Sequence, residues 1–280
     1  MKCPFFFNAV VSEMKDLSKN LFELDTNEVV VVYSEYVLGG MLTWPNHLEV
    51  VLRFIESLNT CVIIVIETEA NINEPIFMDQ FNESVFLYAT LFDCLETFMG
   101  RDNQHRMEFE RLVLRKIIHN VITCEGEGRI FHNVRLEVWR ALFENFGIKE
   151  TELSELSLYQ ANLIVDRSAH GFCTLDMDGN CLTIKWKGTP IVFASVLLFK
   201  ELCITSVNLF KRELIRRREH YHLIDMKVGK RNHLIWTKVL QNAKPIAVVC
   251  YQSSPFFQVP QFTGIQAIID NVKSAKEGFI

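Results

Sequence analysis

The sequence predicts an α/β fold: a doubly wound, mostly parallel sheet with flanking helices and an antiparallel hairpin towards the C-terminus. Three observations carry this. Residues 28–38 and 61–69 are near-continuous apolar stretches with the β-branched composition of strands buried on both faces. Between them Leu48, Val51, Leu52 and Ile55 recur at the spacing of an amphipathic helix. Further on, Asp178-Gly179-Asn180 separates two short runs, and Asp-Gly supplies the positive backbone angles of a tight hairpin. With 49% hydrophobic and 22% charged residues over 280 positions, the chain can bury a large core, which excludes a mostly disordered protein.

In chain order, residues 4–11 (PFFFNAVV) read as a strand, since Asn8, Ser12 and Glu13 break the run too early for a signal peptide. A polar helical stretch ends near Phe22. The strand at 28–38 stops at Gly39-Gly40, and Trp44-Pro45-Asn46 introduces the Leu48–Ile55 helix, which ends at Leu58-Asn59. The strand at 61–69 follows at once. From Pro75 to Ala169 the pattern turns to long helices. Phe77, Phe81, Ser84, Tyr88, Leu91, Leu95 and Phe98 mark the first, with Pro75 placed in its opening turn. Helices near 106–123 and 130–146 are separated by Gly126 and Gly128, and Gly147 closes the second. A shorter helix spans 154–167. Strands at 172–176 and 181–187 form the hairpin, and 191–199 completes an antiparallel corner. Beyond it lie a basic region at 211–231, an apolar run at 246–251 and an aromatic loop at 255–260. No run of about 18 uncharged apolar residues occurs, so a membrane is not an expected partner.

The formal charge of -5 is too small to make the whole chain a polyanion binder. It is unevenly spread: residues 201–280 carry 12 Lys plus Arg against 6 Asp plus Glu, leaving -11 for residues 1–200. The eight cysteines form no C-x-x-C pair and have mostly apolar neighbours, which suits reduced core thiols in an intracellular protein. A nucleotide or S-adenosylmethionine site needs a glycine-rich turn opening a helix; Gly39-Gly40 has no third glycine, and no helix is expected to open on it. Glu67 and Glu69, at the carboxyl end of a strand, share one face by their i, i+2 spacing. They fit either an acid/base pair or, as the commoner use, carboxylates that cap helix N-termini or pair with basic side chains. His119 and His132 have no second ligand at metal spacing. The turn Cys124-Glu125-Gly126-Glu127-Gly128-Arg129 fits an anion-binding loop or a helix–helix corner, and its own glutamates oppose the first. Lys211, Arg212, Arg216, Arg217 and Arg218 fit a nuclear-import or phosphate-contact patch, or a solvated helix face interrupted by Glu213 and Glu219. No catalytic, cofactor-binding or metal-ligating residue is assigned, and no cofactor is expected.

Several of these stretches, in order over residues 4–199, resemble the C-terminal part of the plant GRAS domain family, in particular its DELLA-like members. Val62–Ile66 followed by Glu67, Glu69, Ala70 and Asn71 looks like that family's strand ending in E-x-E-A-N. Pro75, Phe77, Phe81 and Tyr88, with Leu91-Phe92-Asp93-Cys94-Leu95-Glu96, match its PFYRE region. Asn120, Cys124, Glu125 and Gly126, followed by Arg129, His132 and Trp139, resemble the series leading to its last conserved region. Asp178-Gly179, Leu182 and Trp186-Lys187 are similar to the hairpin of its SAW region. There are departures. Gln80 stands where arginine is usual, Ile117 where a polar residue is usual and Asn133 where glutamate is usual, and Ala194-Ser195-Val196 replaces the serine-alanine-tryptophan triplet. The family's VHIID strand is expected before residue 4, so residues 1–200 read as a partial GRAS domain and 201–280 as an unassigned basic extension.

The resemblance implies a partial Rossmann-like, methyltransferase-like core that has lost catalysis. It further implies a non-enzymatic nuclear transcriptional regulator whose partners are transcription factors and other nuclear regulators, with DNA contacted indirectly and association with other GRAS chains. The aromatic helices at 75–98 and 130–146 offer the candidate faces. The competing readings are a non-functional GRAS remnant and a methyltransferase-like small-molecule-binding protein.

Overall fold

The computed structural model describes residues 5–10, 12, 16–25, 28–44, 46–168, 171–199, 233–239 and 246–252. Its centre is built by β2 (Val29–Glu35) and β3 (Val62–Thr68), which pair in parallel from Val31 opposite Val62 to Glu35 opposite Ile66. The crossover between them carries α1 (Leu38–Met41) and α2 (His47–Ser57). Alternate residues of β3 feed two different cores. Ile63 and Val65 pack with Leu48, Leu52 and Ile55 of α2, whereas Val62 and Ile64 pack with Cys61, Val196 and Leu198. Coverage on both faces is why these strands lack polar alternation.

Antiparallel strands extend the sheet on the far side of β3. β7 (Thr189–Phe199) pairs with β3, with β6 (Cys181–Trp186) and with the short β4 (Ile148–Glu150), and β5 (Cys173–Asp178) closes the edge. On the other side β9 (Ile246–Gln252) runs parallel to β2, β8 (His233–Val239) antiparallel to β9, and β1 (Phe5–Val10) antiparallel to β8. The order is β1-β8-β9-β2-β3-β7-β6-β5. The α/β class with flanking helices stands. Parallel pairing, however, is confined among the described residues to β9, β2 and β3, because every other neighbour in the sheet belongs to an antiparallel ladder.

The helical layer is α3 (Phe77–Phe98), α4 (Gln104–Phe109), α5 (Arg115–Thr123), α6 (Leu136–Asn145) and α7 (Glu155–Ser168). α3 packs Leu87, Tyr88, Leu91 and Leu95 against Phe109, Val113, Leu114 and Val121. The helix expected over 106–123 contains a π-helical turn at Glu110–Leu114 between α4 and α5. The helix expected from 130 begins at Leu136, because residues 129–135 are held extended by contacts described below. Pro75 lies just outside α3, whose N-cap is Ile76. Gly39-Gly40 lies within α1, contrary to the expectation that no helix opens there. The reason is an acidic cap from β3 that the glycine pattern could not reveal. A Cβ on Gly39 would fall 2.3 Å from the His132 carbonyl oxygen, so only glycine permits this approach.

Candidate functional site

Glu67 lies within β3 and is 2% exposed. Its Oε1 accepts the backbone N–H groups of Val37 at 2.9 Å and Leu38 at 2.7 Å, at the start of α1. Glu69, just past the strand, accepts the N–H of Leu136 at 2.9 Å, the first residue of α6. These are amides that the first turn of a helix leaves without an internal partner. Burial nevertheless outweighs those bonds and pushes both carboxyls up to about 7. Glu35, at the end of β2, is also raised by burial and receives the Tyr33 hydroxyl at 2.9 Å. The two glutamates therefore serve different helices, one oxygen of each accepting backbone N–H groups.

A second knot gathers several further motif positions. Arg129 donates through Nη1 to the Gln80 side-chain oxygen at 3.0 Å, and through Nη2 to the Ile72 carbonyl and the Asn73 side chain. His132 is half-buried, with Nε2 2.8 Å from the Arg129 carbonyl and Nδ1 3.1 Å from the Asn73 side-chain oxygen. Burial holds its pKa below the usual histidine value. Asn71 bonds Glu74 at 2.7 Å and caps the Asn73 N–H. Asn120 accepts from the N–H groups of Ile130 and Phe131 and donates to the Gly128 carbonyl. Cys124, Glu125 and Gly126 thus form a helix–helix corner, with Gly126 at φ 54°. Gln80, at a position where the family resemblance suggested arginine, bridges this corner by donating to the Val121 carbonyl at 2.6 Å.

The other motif residues are spread through the core and surface. Trp139 is buried against Phe143, their rings stacked at 5.6 Å. Tyr88 is buried on the inner side of α3, and burial raises its hydroxyl pKa. Phe81 is exposed beside Phe77. Trp186 donates its indole N–H to Asp93 at 2.7 Å, tying the hairpin to α3; the Lys187 and Trp186 bonds hold the Asp93 carboxyl below its usual range. Lys211, Arg212, Arg216, Arg217 and Arg218 lie outside the described residues. Among the described residues no cluster of ligating side chains could hold a metal ion, five cysteines are free thiols, and no helix is long and apolar enough to cross a membrane.

Replacing Arg129 by alanine leaves the Ile72 carbonyl and the Asn73 and Gln80 side-chain oxygens without its donors. We expect a loss of about 2–4 kcal/mol in denaturant unfolding, with Arg129→Lys recovering less than half because ammonium lacks the forked geometry.

Asn120, Cys124, Glu125, Gly126, Arg129 and His132 of this knot, followed by Trp139 in the main core, make up the series that the sequence resemblance singled out, and the GRAS domain family matches residues 1–196. The chain belongs to the GRAS domain family. It is similar to the DELLA protein GAIP-B of Cucurbita maxima, 34% identical over 190 residues that make up 66% of this chain and 32% of that protein. It is similar also to the DELLA protein RGL3 of Arabidopsis thaliana, 32% identical over 68% of this chain and 37% of that protein. The chain thus spans about a third of the length of these relatives. Among solved structures, SCL7 of Oryza sativa matches with TM-score 0.63 and 25% identity, covering 68% of this chain and 53% of that one. This plant GRAS chain shares that Rossmann-like fold.

Sequence reasoning missed three connections in the GRAS fold. Arg140 joins Glu150 at 3.1 Å to Asp178 at 2.8 Å, and Ser195 donates to the same Glu150. Glu150 sits on β4, a strand of three residues, too short to leave a periodic signal. Asp93 meets Trp186 across 93 positions of sequence, and Gln80 meets Arg129 across 49. Such partners have no local spacing from which to be read.

Proposed function

We propose that this GRAS chain is a non-enzymatic nuclear regulator of DNA-templated transcription. It binds transcription factors and other nuclear regulators, reaches DNA through them, and associates with further GRAS chains. The observation that carries this reading is the exposed apolar flank of α3. Its inner side supplies Leu87, Tyr88, Leu91 and Leu95 to the core, while Met78, Phe81, Val85, Phe86 and Phe92 stay exposed, Phe86 at 71%. Met78, Phe81, Val85 and Phe92 are spaced by three, four and seven and form one stripe along the helix, with Phe86 exposed beside it, an arrangement that receives an amphipathic helix of another protein. Large apolar side chains cost solubility unless they have a partner. The engagement of Glu67 and Glu69 by backbone amides supports the non-enzymatic part of the reading.

The test is proximity labelling by the tagged full chain in plant cells. Nuclear signal with enrichment of sequence-specific transcription factors is expected. A cytosolic chain that labels none of them would overturn the proposal.

A further inference from the structure

The C-terminal strands hold a position that the family match does not account for. β9 lies between β2 and β8, bonded on both edges: parallel to β2 from Val29 opposite Ile246 to Ser34 opposite Tyr251, and antiparallel to β8 over all seven of its residues. β8 in turn carries β1. Among the described residues β2 has two strand neighbours, β3 and β9, so β9 alone makes β2 an interior strand. Its sequence, Ile246-Ala247-Val248-Val249-Cys250-Tyr251-Gln252, contains no charge, and Pro245 stands immediately before it. An uncharged apolar run suits an interior strand, and a proline before its first residue removes no hydrogen bond from the ladder. These residues fall outside the stretch 1–196 that the family match covers.

We propose that β8 and β9 form an intramolecular donor pair: the edge of β2 not taken by β3 is a docking surface, and its occupant is this chain's own β9. The pairing is strand addition within one chain, in which main-chain hydrogen bonds supply affinity and an apolar sequence supplies specificity. Without it, Val29-Val30-Val31-Val32 would present a row of unpaired N–H and C=O groups on an apolar strand, a template for edge-to-edge aggregation. β8 and β9 are therefore part of the folded sheet.

Hydrogen–deuterium exchange on the full chain tests this. Amides of 246–252 and 29–34 should be protected together, and Val248→Pro should speed exchange at 29–34 by at least about tenfold while the β5–β6 hairpin changes less. Exchange of 246–252 at the unprotected rate in the unmutated chain would overturn the proposal, as would unchanged protection of 29–34 in the variant. A second variant covers the case in which Val248→Pro does not fold. Tyr33 is the register partner of Cys250, and neighbouring strands approach within the Cα separation a disulfide spans. Tyr33→Cys should therefore give, on mild oxidation, a 33–250 disulfide within the monomer. Absence of that link, or its appearance only between two chains, would refute an intramolecular donor.

Discussion

Replacing Trp139 by alanine is expected to destabilise the protein by about 3–5 kcal/mol in denaturant unfolding, a large share of the stability of an ordinary domain. The side chain is 1% exposed and packs in the main core with Phe143, Leu136 and Ile148, so its removal leaves a cavity that rigid strands cannot collapse to fill. Its indole N–H is buried without a hydrogen-bond partner among the described residues. An unsatisfied buried donor costs about 1–3 kcal/mol, which Trp139→Phe would relieve while keeping most of the ring volume. The phenylalanine variant should therefore lose about 1–2 kcal/mol at most. Equal losses in both variants would mean that the indole N–H is satisfied and the tryptophan chosen for that bond.

The second large effect is a dependence of stability on pH. Glu67 titrates at 4.5 when unperturbed and at about 7 in the folded chain, raised chiefly by burial. Between those values the folded state holds a proton that the unfolded chain has released. Stability from this group is therefore fully present below pH 4.5, falls as pH rises, and levels off above about 7. At about 1.4 kcal/mol per pKa unit the span is about 3 kcal/mol. Glu69 shifts in the same direction, so the two slopes add. Glu67→Gln keeps an oxygen for the Val37 and Leu38 amides and removes the titration. Urea unfolding at a series of pH values should show the variant losing roughly half the wild-type slope and exceeding the wild type in stability at pH 8. Glu67→Ala should be less stable than either, because the two amides at the start of α1 then lack their acceptor.

What was legible in the sequence was what periodicity carries. β2 and β3 were visible because burial on both faces leaves uninterrupted β-branched runs, and α3 because Tyr88, Leu91 and Leu95 keep helical spacing. The β5–β6 hairpin announced itself through Asp178-Gly179. The candidate site was legible as a set of residues, through their resemblance to family motifs, but its wiring was not. That Glu67 would fold Gly39-Gly40 into α1, or that Arg129 would hold Ile72, Asn73 and Gln80 together, depends on contacts between segments far apart in the chain. The same holds for β8 and β9: Ile246–Tyr251 is apolar by inspection, yet only pairing with β2 makes it a central strand.

The motif residues hold the fold, and the function proposed above places partner binding on the exposed flank of α3. Combining Val85→Glu with Phe86→Glu separates the two, since both side chains are solvent-exposed and neither belongs to the core behind the helix. The decisive measurement is quantitative proximity labelling of the double variant against the unmutated full chain in plant nuclei, at matched abundance and with thermal melting of both proteins. Melting temperatures within about 2 °C of each other and a loss of at least about tenfold in labelled transcription factors are expected. Undiminished labelling by a double variant that melts like the wild type would contradict the proposed function.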